Sequence, residues 1–296
     1  MEAAPARDWA DGLGTDALLA ILHRLDHVDV PMGADQVCRS WRRAAREEPA
    51  LWRRIAMRGH EGIARRLNRG GLAFEAVRRS AGRCEAFRGE YAGDDGFLVY
   101  LSEQAPCLKS LRLISCNDVT NEGVAEAVKE LPLVEELELS LCDNVGVWGT
   151  GNDVQGIATM HGLRSLQLFS NLLTNMDLET ILDNCPHLES LDMRHCFNID
   201  MDENLILKCA RIKTMRLPDD PIDDYDLEVQ TPVRTYVRPE PLGYMCYSDC
   251  SYGYNRYEDS DDSEDDSDFY GEPSCYESDL NKYEKMLPLS MRTFLR

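Results

Sequence analysis

LKSLRLISC, residues 108–116, decides the reading of this 296-residue chain because its frame returns. It comes back as VEELELSLC from Val134, LRSLQLFSN from Leu163 and LESLDMRHC from Leu188, with a truncated IKTMRL from Ile212. The start-to-start spacings are 26, 29, 25 and 24 residues. In each frame the second and third apolar positions, such as Leu111 and Leu113, stand two apart and so share one side of a short strand, while the first closes the preceding turn. Between the frames, VTNEGVAEAVKEL and LTNMDLETILDNC carry Val124, Ala127, Val128 and Leu131, then Leu178, Ile181 and Leu182, at helical spacing. One such unit cannot bury its apolar side alone, so the units must stack on one continuous core.

The pattern extends upstream in weaker form. In RCEAFRGEYAGDDGFLVYLSEQA, Cys84, Phe87 and Gly89 stand 24 residues before the matching positions of the Leu108 frame. Residues 58–105 therefore read as a linker and a degenerate first unit, and 106–217 as the regular array. The stretch Gly146–Gly156 is rich in glycine and lacks a helical stripe, so the unit from Val134 reads as irregular around 143–156. Five or six strands at about 4.8 Å would give a face on the order of 25 Å wide, enough for a peptide or the edge of a domain. The residues alternating with the leucines are expected to line it. Arg112, Glu136, Glu138, Gln167, Phe169, Asp192 and Arg194 are the candidate binding residues among them. For any single one, an ordinary solvated position is an equal reading.

Ahead of the array, Leu13, Leu18, Ile21, Leu22 and Leu25 recur at spacings of one to five, which predicts a short amphipathic helix over Thr15–Leu25 capped by Thr15. Val37, Cys38, Trp41, Leu51, Trp52 and Ile55 continue the pattern into two more short helices, broken near Pro49. Three helices in roughly 45 residues make a core too small to stand alone, which suggests a partner surface.

The order DWADGLGTDALLAIL, QVCRSWRR and PALWRRI resembles the F-box, and L-x-x-L-x-L-x-x-C/N at these periods resembles the leucine-rich repeat. Together they resemble the plant F-box proteins with leucine-rich repeats. That resemblance implies an α/β chain: a three-helix F-box over residues 9–57, then a short solenoid with strands concave and helices convex. It also implies docking on a Skp-type adaptor, and through it a cullin, by Leu13, Gly14, Asp16, Leu18, Ile21, Leu22, Leu25, Val37, Cys38, Trp41 and Trp52. Where the family has Leu-Pro this chain has Leu13-Gly14, and the freer glycine should weaken docking by under ~1 kcal/mol. In the family the Cys or Asn closing each frame packs or hydrogen-bonds beneath a bend, which accounts for Cys116, Cys142 and Cys196 without redox or metal chemistry.

Charge is unevenly spread. The net −21 divides as +2 over residues 1–70, −10 over 71–217 and −13 over 218–296. No dense positive stripe follows the repeats, so nucleic-acid binding is disfavoured. The longest clean apolar run, ALLAIL, is far short of a membrane span, and the N-terminus lacks an apolar leader core; the expectation is a soluble protein, cytoplasmic, nuclear or both. Eleven cysteines, an odd number in a long chain, read as reduced thiols. Residues 218–296 begin with a Pro-containing stretch and continue rich in Asp, Ser and Tyr, a tail expected to be mostly disordered, with the disorder running from about residue 240 to 285. Within it Ser263, followed by Glu264, Asp265 and Asp266, is a possible phosphorylation site. Cys246, Cys250 and Cys275 lack a fourth ligand at zinc spacing, so no metal is assigned, and no cofactor.

P-loop, GxSxG, HExxH and paired CxxC motifs are all missing from the sequence, and the six histidines form no recognisable ligand set. The resulting expectation is a non-catalytic substrate-recognition subunit of an SCF-type ubiquitin ligase, with an unknown protein as its target. A second reading, a leucine-rich scaffold whose acidic tail chaperones or inhibits basic proteins, leaves VCRSWR and PALWRRI unexplained.

Overall fold

Seven strands, β1 (Arg54–Met57), β2 (Ala86–Glu90), β3 (Ser110–Ile114), β4 (Glu136–Ser140), β5 (Ser165–Gln167), β6 (Ser190–Asp192) and β7 (Thr214–Arg216), form one parallel sheet in chain order. The structure, a computed structural model, describes residues 14–59, 66–142, 144–145 and 154–225. Register follows from the repeat frame. Ile55, Phe87, Leu111, Leu137, Leu166 and Leu191 stand side by side across the sheet, and all are buried. Met215 ends this column at the open edge and is 36% exposed.

Strands β2 to β6 leave the sheet by the same device. Tyr91, Ser115, Leu141, Ser170 and His195 all adopt positive φ, and in every case the N–H donates to the next unit: Tyr91 N to Ile114 O, Ser115 N to Ser140 O, Leu141 N to Phe169 O, Ser170 N to Arg194 O. A non-glycine residue is strained there, and the repeated bond helps hold it. Just beyond, Asn171 Nδ2 donates to Leu139 O and Cys196 Sγ to Leu168 O, with Cys116 and Cys142 reaching Gly89 O and Leu113 O in the same way. The cysteines and asparagine of the sequence frame thus satisfy carbonyls beneath the bends.

The convex side carries α4 (Arg69–Arg79), α5 (Asp95–Gln104), α6 (Asn121–Lys129), the one-turn α7 (Gln155–Ala158), α8 (Asn175–Asn184) and α9 (Glu203–Cys209). Asn68, Asp94, Thr120, Thr174 and Asp202 each cap one of them, accepting from the N–H three residues on. The units are drawn close at Gly156, where a Cβ would sit 2.5 Å from Ala125 Cα. Among the described helices of the convex side, α7 alone is that short, in the unit where the sequence lacks a helical stripe.

The N-terminal helices are α1 (Thr15–Leu22), a π turn over Val30–Ala34 running into α2 (Asp35–Val37), and α3 (Arg39–Glu47), followed by a 3₁₀ turn over Pro49–Trp52. Three sequence expectations are corrected here. Gly14, not Thr15, is the N-cap, and no side chain caps this helix. The helix stops at Leu22, so Leu25 lies beyond it. Ile55 belongs to β1, because the chain after Trp52 pairs with β2 (Ile55 with Phe87) instead of winding into a helix. The F-box-like region therefore supplies the first strand of the solenoid. His27 seals that strand's edge: its N–H donates to Ala56 O at 2.9 Å, its Nδ1 accepts from Ala56 N at 3.1 Å and its Nε2 meets Leu51 O at 3.0 Å.

Candidate partner-binding faces

The eleven N-terminal candidates separate into two groups by burial. Leu18, Leu22 and Trp52 are core residues, and Trp52 Nε1 donates to Ala45 O at 2.8 Å. They hold the helices together and are not available to a partner, which corrects their assignment as contact residues. Gly14 and Asp16 are exposed, Ile21 is 39% and Val37 61% exposed, and Leu25, Cys38 and Trp41 are half-buried. Leu13 lies outside the described residues. Exposed aliphatic side chains on a small helical module are what such a module keeps for a partner.

On the concave face, strand pairing aligns Arg88, Arg112, Glu138, Gln167, Asp192 and Arg216 in one row. Their charges are largely matched within the row or with its neighbours. Arg112 lies 3.8 Å from Glu138 and 3.9 Å from Glu136, and Arg88 lies 2.9 Å from Glu90. Arg112, Glu136 and Gln167 remain open or half-open to solvent, and Asp192 is half-buried.

The other three concave candidates are covered. Phe169 is fully buried because Tyr225 stacks on one side of it, with centroids 4.1 Å apart and planes at 10°, and His195 packs at 5.0 Å and 25°. Tyr225 Oη donates to Glu138 Oε1 at 3.3 Å, across 87 residues of sequence. Burial raises the Glu138 carboxyl above its ordinary range, and burial beside Glu138 raises the Tyr225 phenol too, so the phenol stays protonated as the donor. Arg194 is buried and bonded to Asp192, Asp224 and the Pro221 carbonyl, with its cation 5.8 Å from the Tyr225 ring centroid. The expectation that Phe169, Glu138 and Arg194 face solvent is thus corrected: residues 218–225 return over the sheet and sit on them.

The described part of the Pro-containing stretch, residues 218–225, is thus placed against the sheet, and residues 240–285, where disorder is expected, lie outside the described residues. Ser263, Cys246, Cys250 and Cys275 lie outside the described residues. Among the described residues, no three His, Cys, Asp or Glu side chains gather as metal ligands, and no helix is long and apolar enough to cross a membrane. The sequence carried no local signal for Tyr225, because its partner Phe169 is far away in the chain.

A helical module whose last segment becomes the first strand of a capped, one-strand-per-unit solenoid defines the class: an F-box joined to leucine-rich repeats. Residues 15–58 match the F-box-like family model. The chain is 36% identical over 284 residues to "Putative F-box/LRR-repeat protein 22" of Arabidopsis thaliana, covering 85% of this chain and 92% of that protein. It is also 36% identical to "F-box protein SKIP19" of the same plant, covering 77% of this chain and 82% of that one. Among solved structures, an internalin from Listeria monocytogenes aligns with a TM-score of 0.34 and 16% identity over 50% of this chain and 38% of its own. The protein belongs to the plant F-box/LRR-repeat family.

Proposed function

We propose that the protein is a non-catalytic substrate receptor of an SCF-type ubiquitin ligase. Its F-box docks on a Skp-type adaptor, and through it on a cullin, while the repeats hold the protein to be ubiquitinated. The observation that carries this reading is the exposure of Ile21 and Val37 on a module whose own core, Leu18, Leu22 and Trp52, is already complete. The apolar residues left outside are surplus to folding and fit a helical partner. Fusion of the same module to the sheet through β1 supports a rigid bridge, in which a target on the concave face keeps a defined position relative to the adaptor. Catalysis then comes from the assembly, by raising the effective concentration of a target lysine beside the ubiquitin thioester.

Co-purification with a Skp-type adaptor tests the reading. Leu18 is a poor probe because truncating it would damage the fold. Ile21→Asp with Val37→Asp alters exposed positions, and the pair is expected to abolish adaptor binding while the thermal melting temperature stays within a few degrees of wild type. Adaptor binding undiminished in this double variant would overturn the proposed docking face.

A further inference from the structure

After β7 the chain turns back, with Leu217 N donating to Asp220 Oδ2 at 2.8 Å and Asp220 N to Leu217 O at 3.1 Å. Pro218 O takes the last ladder position, from His195 N at 2.9 Å. From there to Tyr225 the strap is held by separate anchors, not by strand pairing. Its main chain bonds locally, Tyr225 N to Ile222 O at 2.9 Å, and to the sheet through one side chain, Arg194 Nη1 to Pro221 O at 3.0 Å. The remaining anchors are side chains: the Tyr225 ring on Phe169, its hydroxyl on Glu138, and the Asp224 carboxylate shared by Arg194 and by Arg216 Nη2 at 2.8 Å. Asp224 is still about half exposed, as is Arg216.

What lies under the strap is a built subsite. Phe169, packed in turn against His195, is the floor, Glu138 the hydroxyl acceptor and Arg194 the cation beside the ring, while Arg194 and Arg216 together hold the neighbouring carboxylate. An aromatic ring on an apolar floor, with its hydroxyl satisfied in a buried place and an adjoining carboxylate on paired guanidinium groups, is the chemistry of peptide side-chain recognition. Nothing in that chemistry requires the ligand to come from the same chain.

We propose that this slot is a recognition subsite for an acidic–tyrosine dipeptide in a partner protein, and that Asp224–Tyr225 is an exchangeable occupant of it in cis. The proposal rests on the concave face being the side that meets targets. A partner carrying an Asp-Tyr or Glu-Tyr pair in an extended segment displaces the strap and takes over its anchors. Because the resident ligand is tethered to β7 by a few residues, its effective concentration is on the order of mM, and a free peptide competes poorly with it. The strap therefore sets a threshold that only a partner with further contacts along the open part of the face, at Arg112, Glu136 and Gln167, would pass.

The test is fluorescence anisotropy with a labelled octapeptide PIDDYDLE, the sequence of residues 221–228, added to the full chain. The opened variant Asp224→Ala/Tyr225→Ala should bind it at least about tenfold more tightly than wild type. Asp224→Ala alone, at an exposed position, should give an intermediate gain. A peptide with its tyrosine replaced by alanine should fail to bind the opened chain, and Arg216→Ala in the opened background should weaken the parent peptide. Equal binding by wild-type and opened chains, absence of binding by both opened variants, or equal binding of the alanine peptide would each overturn the proposal. The readout needs neither adaptor nor ubiquitin, so failure of adaptor docking is seen separately.

Discussion

Arg79 and Asp35 form a buried ion pair across the junction of the two parts of the chain: Arg79 Nη2 lies 2.9 Å from Asp35 Oδ2, and neither side chain is more than 1% exposed. Asp35 begins α2 of the F-box and Arg79 ends α4 of the solenoid, so the pair fixes one on the other. Arg79 also bonds Glu75 at 2.7 Å and lies 5.0 Å over the Trp52 ring, while Arg46 approaches Asp35 at 3.5 Å from solvent. Replacing Arg79 by Met strands a buried carboxylate, a change that typically costs about 3–5 kcal/mol, softened here by Arg46. Urea denaturation should show that loss, and Asp35→Asn in the same chain should recover part of it. A loss under about 1 kcal/mol would mean that the junction does not depend on the pair.

Gly14 offers a change in the opposite direction. Its φ is −53° and ψ 151°, values open to proline, and a Cβ there would meet nothing within 4 Å. Gly14→Pro restricts the unfolded chain and the free turn alike, so it should stabilise the protein by about 0.4–1 kcal/mol in denaturant titrations. If the turn meets the adaptor, affinity should rise by a similar margin in calorimetry. A destabilised Gly14→Pro chain would show that the turn needs a conformation or an N–H that proline removes.

These two positions illustrate what the sequence could and could not say. The strands were legible wherever an L-x-L pair and a closing Cys or Asn coincide, since the period-two pattern and the bend chemistry act within nine residues. β1 was hidden because Leu51, Trp52 and Ile55 also fit a helical stripe, and only pairing with Phe87, 32 residues on, makes Ile55 a strand residue. The concave face was legible as alternation, but its occupation was not. Phe169 and Arg194 lie past the ends of β5 and β6, and the ring that covers them belongs to an aperiodic stretch. The contacts that fix the F-box on the solenoid, Asp35 with Arg79 and His27 with Ala56, likewise join residues far apart in sequence, where no periodicity reports on them.

His27 should give the protein an acid-sensitive junction. Its ring accepts from Ala56 N through Nδ1, so Nε2 carries the proton donated to Leu51 O, and burial lowers its pKa below the ordinary 6.5. The neutral form is the folded one. Above 6.5 both folded and unfolded chains are neutral there and the contribution is constant; as pH falls below 6.5 the unfolded chain takes up a proton first, and stability declines until the lowered folded value is reached. Asp26, which raises this pKa, and His23, which lowers it, are the charged neighbours. Denaturation midpoints should fall as pH is lowered through the window just under 6.5, and His27→Gln should flatten that slope at some cost in stability. An unchanged slope in His27→Gln would place the acid sensitivity elsewhere.

The cysteines of the repeats should be chemically silent for a physical reason that separates them from Cys107. Burial pushes the Cys84 and Cys196 thiols up to about 12 and those of Cys116 and Cys185 to about 11. The thiolate is the nucleophile, so at neutral pH these groups are both unreachable and protonated. Cys107 is exposed and Cys38 half-buried at the end of α2. Brief treatment of the native chain with N-ethylmaleimide, read by peptide mass spectrometry, should label Cys107 fully and Cys38 partly while sparing Cys84, Cys116, Cys142, Cys185, Cys196 and Cys209. Adaptor binding should reduce labelling at Cys38 alone, because Val37 beside it belongs to the proposed docking face. Labelling of Cys142 or Cys196 as fast as Cys107 would mean that the repeats open locally with little free energy, and the rigid bridge between the F-box and the concave face would fail with them.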